Sequence, residues 1–323
     1  MPPDRAALLR VKLAALVRDH WGEAERRPSP FPGGSALAEG SRGWVLVDVD
    51  PERALGGALA WGWRQKVEEL HVLVDAAGRG LARRAGFFRP APSVWAVDGR
   101  DLTPAEATPL PDEPELPLET EVFADLIRSA GAEPVVEHGV LRGEVLGLEV
   151  ARVEDGRLLV GVGKHDREAH LLAHPDRTAA EGLTATVEVV GHYRRTGVGA
   201  HPANQLSVER WLRSVVIAHP ELAGVPPASQ LRPVPSPVAR ADLRRPAPAP
   251  ALGDDVLVVC SVGVDTDFVP AAADAWAGNG RPSRLVLCVP EGDDHPVTRA
   301  VAGLLEHPAE IVTVPSDWRD AGQ

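Results

Sequence analysis

Proline is clustered along this chain of 323 residues, and the clusters limit what it can fold into. Pro90, Pro92, Pro104, Pro109, Pro111, Pro114 and Pro117 fall within residues 89–117, and Pro226, Pro227, Pro233, Pro235, Pro237, Pro246, Pro248 and Pro250 within 226–250. Proline fixes φ and has no amide to donate, so neither stretch suits a central strand or a long helix. Both are expected to be extended linkers. They predict a domain over 1–105, a second over 106–225, a Pro-rich linker over 226–251 and a small unit over 252–323. The length agrees, since one core rarely grows past about 250 to 300 residues.

The first segment alternates strand and helix. The opening MPPDRAALLRVKLAALVRDHWGE reads as an amphipathic helix. After a break at PSPFPGG, the run GWVLVDVD reads as a strand and PERALGGALAWGWRQ as a helix, with Asp50 as its cap and Pro51 at the first helical position. ELHVLVD, GLARRAGFF and SVWAVDG follow as strand, helix and strand. Continuous apolar strands in this order predict parallel pairing under helical cover, a Rossmann-like α/β domain. The last segment repeats the plan as a small βαβαβ unit, with strands at DVLVVCSVGV, SRLVLCVP and AEIVTVP. So short a unit buries little core, so it is expected to dock on another domain.

The middle segment opens on a helix, LETEVFADLIRSAG. PVVEHGV, RGEVLGLEVARV and GRLLVGVG read as three strands, with a hairpin at Asp155-Gly156. Further helices run through DREAHLLAH, TAAEGLTATVEVVGHYRR and NQLSVERWLRSVVIAH. The predicted order is α-β-β-β-α with a helical extension.

The net charge of -12 is unevenly spread. Residues 101–150 hold twelve acids against Arg128 and Arg142, whereas Arg194, Arg195, Arg210 and Arg213 follow one another with Glu209 between them. Overall acidity argues against coating nucleic acid or an anionic membrane by charge alone. The local basic strip is a candidate surface for DNA or RNA, its arginines on phosphates and Tyr193 and Trp211 stacked on bases. Two other readings compete: a helix that buries Trp211, Leu212, Val215 and Val216, and arginines that pair with the acidic stretch.

Helix, three strands, helix is also the core order of the PD-(D/E)XK nuclease superfamily, which residues 118–174 resemble. The resemblance implies a metal-dependent phosphodiesterase or a non-cleaving relative. Glu149 would be the second-strand carboxylate and Lys164 the motif lysine, with Glu121 as a helical metal ligand beside Glu149. Hard carboxylate oxygens suit Mg²⁺, which lowers the pKa of its water and offsets developing phosphate charge. The third-strand glutamate of the family is missing, since Gly161, Val162 and Gly163 precede Lys164. Asp166 or Glu168 would have to replace it.

Two alternatives stand beside this reading. Strands ending at Asp48, Asp50, Asp75 and Asp98 predict a rim for a nucleotide or small ligand, with Gly78 and Gly80 in a phosphate loop. The third is a non-catalytic interaction scaffold. His165, His170 and His174 with Asp166 form a loose metal-ligand pattern. Asp265 and Asp267 resemble the opening of haloacid-dehalogenase-like phosphatases, but no lysine follows Lys164, which excludes that chemistry. Cys260 and Cys288 are too few for a zinc knuckle and sit in apolar runs, as core residues do. No apolar run nears the roughly 18 residues that span a membrane, and no basic-then-apolar leader opens the chain. A cytoplasmic protein is expected.

Overall fold

The computed structural model describes residues 4–75, 78–117, 120–173, 177–198, 201–238 and 242–322. Among them the chain is mixed α/β with three sheets. No helix there is long and apolar enough to cross a membrane. The chain forms two compact units: Met1–Leu110 with Thr266–Asp274 and His295–Ala309, and Pro111–Asp265 with Ala275–Asp294 and Glu310–Gln323.

The first unit runs α1 (Arg5–Trp21), β1 (Ser29–Phe31), β2 (Gly34–Glu39), β3 (Arg42–Val47), α2 (Leu55–Gln65), β4 (Glu69–Val74), α3 (Gly78–Ala85), β5 (Ser93–Asp98) and β6 (Asp101–Pro104). Its sheet is ordered β1-β2-β3-β4-β5-β6. β3, β4 and β5 are parallel, as their continuous apolar runs predict. Leu13, Leu16 and Val17, spaced i, i+3, i+4 on α1, bury against Leu37, Trp44, Leu46, Leu73 and Val97. The PSPFPGG break is the β1–β2 hairpin, in which Pro30 sits on an edge strand where no ladder amide is lost. Asp50 does not cap α2. It is left-handed at φ 53°, and a single 3-10 turn over Pro51–Arg53 precedes the helix. A Cβ on Gly56 would fall 1.7 Å from the Thr266 carbonyl oxygen, so only glycine fits there. Arg84 is buried and ties α3 to the later segment through Asp267 at 3.2 Å and Asp274 at 2.5 Å.

The second unit begins with α4 (Glu121–Ser129) and four strands, β7 (Glu133–Glu137), β8 (Val140–Val145), β9 (Leu148–Glu154) and β10 (Arg157–Val160). They form an antiparallel meander ordered β10-β9-β8-β7. Four strands stand where three are predicted, because RGEVLGLEVARV folds back at Leu146-Gly147. All three hairpins use two-residue loops with both φ values positive: His138-Gly139, Leu146-Gly147 and Asp155-Gly156. Such loops match the twist of the strands they join. Leucine pays a steric cost for that conformation, so the middle turn leaves little trace in the sequence. The tertiary structure enforces it: a Cβ on Gly147 would meet the Arg210 backbone at 2.3 Å.

Next come α5 (Gly163–Ala173), α6 (Ala179–Tyr193) and α7 (Val208–Ala218). Thr178 and Glu181 form a reciprocal capping box at the start of α6. The remaining elements of the chain are β11 (Arg232–Pro233), β12 (Ala249–Leu252), β13 (Val256–Cys260), α8 (Phe268–Gly278), β14 (Arg284–Pro290), α9 (Pro296–Ala302) and β15 (Ala309–Val314), of which α9 and residues 268–274 of α8 belong to the first unit. The five strands form one sheet in chain order.

Both proline-rich stretches therefore contribute strands. Pro250 pairs with Val259 inside this sheet. Its carbonyl accepts from the Val234 amide, so its donorless side faces the two-residue β11 and the ladder to β13 loses nothing. One core joins this sheet to α7: Trp211, Leu212, Val215 and Val216 pack with Val256, Val258, Cys260, Val286 and Cys288. Cys260 and Cys288 are in register on adjacent parallel strands, and burial pushes the Cys260 thiol well up.

Candidate functional site

The meander has two unlike faces. Leu141, Leu148, Ala151 and Leu158 bury against Ile127 of α4 and Leu183 and Val190 of α6. The other face carries Glu137, Arg142, Glu144 and Glu149, all at most 8% exposed. Burying such groups is tolerable only when each is paired. Here they form a continuous alternation of charge. Arg167 of α5 donates to Glu149 at 3.0 Å, and Arg142 donates to the other Glu149 oxygen at 2.8 Å. Arg142 also reaches Glu137 at 3.3 Å, and Arg210 of α7 bonds Glu137 in turn. Arg210 donates to Glu144 at 2.5 Å, and Arg213 to the second Glu144 oxygen at 2.6 Å. Arg152 adds a 3.2 Å ion pair to Glu149.

Burial alone would push the Glu137 carboxyl up. The charges of Arg210, Arg142 and Arg213 outweigh it and hold the group at about 2, against an ordinary 4.5. A depressed folded-state pKa gives stability that is present above the unfolded value and lost as pH falls through the folded one. Stability should therefore fall by about 3 kcal/mol between pH 4.5 and pH 2 on account of this group. Urea unfolding at several pH values should show that slope, and Glu137→Gln should flatten it. An equal slope in both proteins would remove Glu137 from the account.

Three of the four arginines of the basic strip are thus not at the surface. Arg210 and Arg213 pair with Glu137 and Glu144 of the acidic stretch. Arg194, 0% exposed, donates to the carbonyls of Leu146 (2.7 Å), Ala203 (2.5 Å), Leu206 (2.9 Å) and Ser207 (3.0 Å). Its guanidinium lies 4.6 Å from the centroid of the Trp211 ring, itself fully buried. Arg195 is exposed. Arg210 and Arg213 are buried because α7 presents them to the charged face of the sheet.

The remaining predicted residues are dispersed. Glu149 is enclosed by three guanidiniums, whereas Lys164 is exposed on α5 and 3.9 Å from Glu168. Glu121 is exposed in the first turn of α4. Among the described residues, no three His, Cys, Asp or Glu side chains are grouped to hold a metal ion. His165 lies 3.7 Å from Glu168, and the side chains of His170 and His174 lie outside the described residues. In the first unit, Asp48 pairs with Arg5 at 2.6 Å and Asp75 with Lys12 at 3.0 Å. Asp50 caps nothing there with its side chain, and Asp98 enters the β5–β6 hairpin. Gly78 and Gly80 belong to α3 instead of a phosphate loop, and a Cβ on Gly78 would meet Ala105 at 2.8 Å.

A cavity of about 380 Å³ opens on the apolar side of the second unit. It lies among β9, α5, α6 and the 3-10 turn Pro202–Asn204. Leu148, Val162, Ala185, Val189, Val190 and Leu206 supply most of its wall, and Asp166, Arg177, Thr186, Tyr193 and His201 its polar groups. Tyr193 stacks on His201 with centroids 3.8 Å apart and planes 7° from parallel. The His201 Nδ1 accepts from the Ala203 amide at 3.2 Å, so the neutral ring carries its proton on Nε2. Asp166 accepts from the Val162 amide at 2.7 Å and fixes the entry to α5. The sequence held one clue to this site. Ala185, Val189 and Tyr193 are four apart on α6, with Thr186 and Val190 beside them, so they share one helix face.

No protein-family model, curated protein or solved structure matches this chain. A functional reading therefore rests on the geometry of the site.

Proposed function

We propose that this chain is a small-ligand-binding protein whose site is the cavity of the second unit. One observation carries the reading: a concave chamber of about 380 Å³ with an apolar wall and few polar groups. That size and that balance of wall chemistry are what small-molecule sites have, at about 300–1,000 Å³. The location differs from the strand-end rim expected in the first unit. We read that unit as keeping a Rossmann-like βαβαβ core, but its three parallel strands run in sequential order. Crevices in open α/β sheets form where strand order reverses, and β3-β4-β5 has no such point. Its acidic rim is also partly offset by Arg5 and Lys12 of α1.

A nuclease-like role with Mg²⁺ draws no support from the geometry. Arg142, Arg152 and Arg167 already surround Glu149, and a divalent cation would add to that positive charge. A nucleic-acid role would rest on Arg195 once Arg194, Arg210 and Arg213 are engaged internally.

A thermal-shift panel of small apolar and amphiphilic compounds tests the reading. A ligand present at a hundredfold excess over its Kd should stabilise the protein by about 2.7 kcal/mol. Ala185→Trp, which fills the chamber from α6, should abolish the shift while leaving the free protein folded. A shift that survives Ala185→Trp would place the binding elsewhere.

A further inference from the structure

We infer that the ligand of this cavity is a small monoanion with an apolar body, its acid group held by Arg177 and the Nε2–H of His201; this rests on the cavity being a ligand site. The polar groups of the wall are unequal in what they still need. Asp166 is an anion already served: it takes the Val162 amide and sits in the first turn of α5, where the helix end favours negative charge. The Thr186 hydroxyl donates to the Gly182 carbonyl within α6. The Nδ1 of His201 is occupied by the Ala203 amide, which leaves Nε2–H as a donor. Arg177 has no hydrogen bond to a described residue. Among the described residues the acid nearest to it in sequence is Glu181, whose carboxylate accepts from the Thr178 amide and hydroxyl at 3.0 and 2.8 Å. The unmet capacity of the wall is therefore donating and cationic. A carboxylate matches a guanidinium, which can grip it with two parallel N–H groups. The apolar wall and the flat face of the Tyr193–His201 stack suit an aromatic or branched hydrocarbon body.

Isothermal titration calorimetry of the full chain with matched sets tests this. Phenylpropionate and octanoate are the acid arms, their primary amides the neutral arms, and the corresponding amines the cationic arms. The acids should bind at least about tenfold tighter than the amides, the usual difference that a charge-assisted pair makes. Arg177→Gln, at an exposed position, should remove that preference and leave amide binding within about twofold. Tighter binding by phenylpropionate than octanoate would assign the aromatic body, and the reverse an acyl chain; both support the inference. Equal binding of acids and amides, stronger binding of amines, or an acid preference that persists in Arg177→Gln overturns it while the cavity still binds. Absence of binding by every arm at millimolar concentration overturns it together with the reading on which it rests.

Discussion

Glu144→Gln should lower the unfolding free energy by about 3–5 kcal/mol, the usual cost of removing one partner from a buried ion pair. The shape of the side chain is kept, so no cavity contributes. Glu144 is fully enclosed and balances Arg210 and Arg213 with its two oxygens. Without its charge, Arg210 keeps Glu137, whereas Arg213 loses its short carboxylate bond. Replacing the group together is a different matter. A triple variant, Glu144→Leu with Arg210→Met and Arg213→Leu, removes the carboxylate together with both of its guanidinium partners, and Glu137 retains Arg142. Buried ionic groups exchanged for apolar ones of similar volume are often neutral or stabilising, so the triple variant should recover most of the loss. Urea unfolding followed by circular dichroism measures both. A Glu144→Gln protein within 1 kcal/mol of the parent would mean that the pairs contribute little.

Arg194→Met should be of similar size, about 4 kcal/mol or more, for a different reason. Its bonds to Leu146, Ala203, Leu206 and Ser207 all go to backbone carbonyls. Five N–H groups on a rigid fork meet four backbone carbonyls in a buried setting, of which that of Ser207 also accepts from the Trp211 amide at 3.1 Å. Each orphaned carbonyl costs about 1–3 kcal/mol. Lysine cannot reproduce the fork, so Arg194→Lys should recover less than half of the loss. Two of the four carbonyls belong to Ala203 and Leu206 in the cavity wall, so the lysine protein should also bind cavity ligands more weakly. Thermal unfolding gives the first effect and calorimetry the second. An Arg194→Lys protein as stable as the parent would show that charge alone suffices there.

Most element types were legible in the sequence. The continuous apolar runs at β4, β13 and β14 and the 3.6-residue spacing of α1 and α6 are local signals, and Asp155-Gly156 announces its own hairpin. The turn at Leu146-Gly147 was not legible, since nothing local asks leucine to be left-handed; the packing of Gly147 against Arg210 does. The strands at Pro30, Pro104 and Pro250 were hidden for the opposite reason. Proline is a poor strand former only where the ladder needs its amide, and edge position is a property of the sheet.

Charge shows the same division. The sequence by itself determined that an acidic stretch and a basic strip exist, and offered the burial of Trp211, Leu212, Val215 and Val216 as one of several competing readings. Whether those arginines meet phosphate, water or carboxylate was decided only by tertiary structure. The partners of Arg210 and Arg213 lie 66 to 73 residues away, on strands whose face is set by a turn that the sequence conceals. A buried charge must find its opposite at contact distance, and only the folded chain brings the two together.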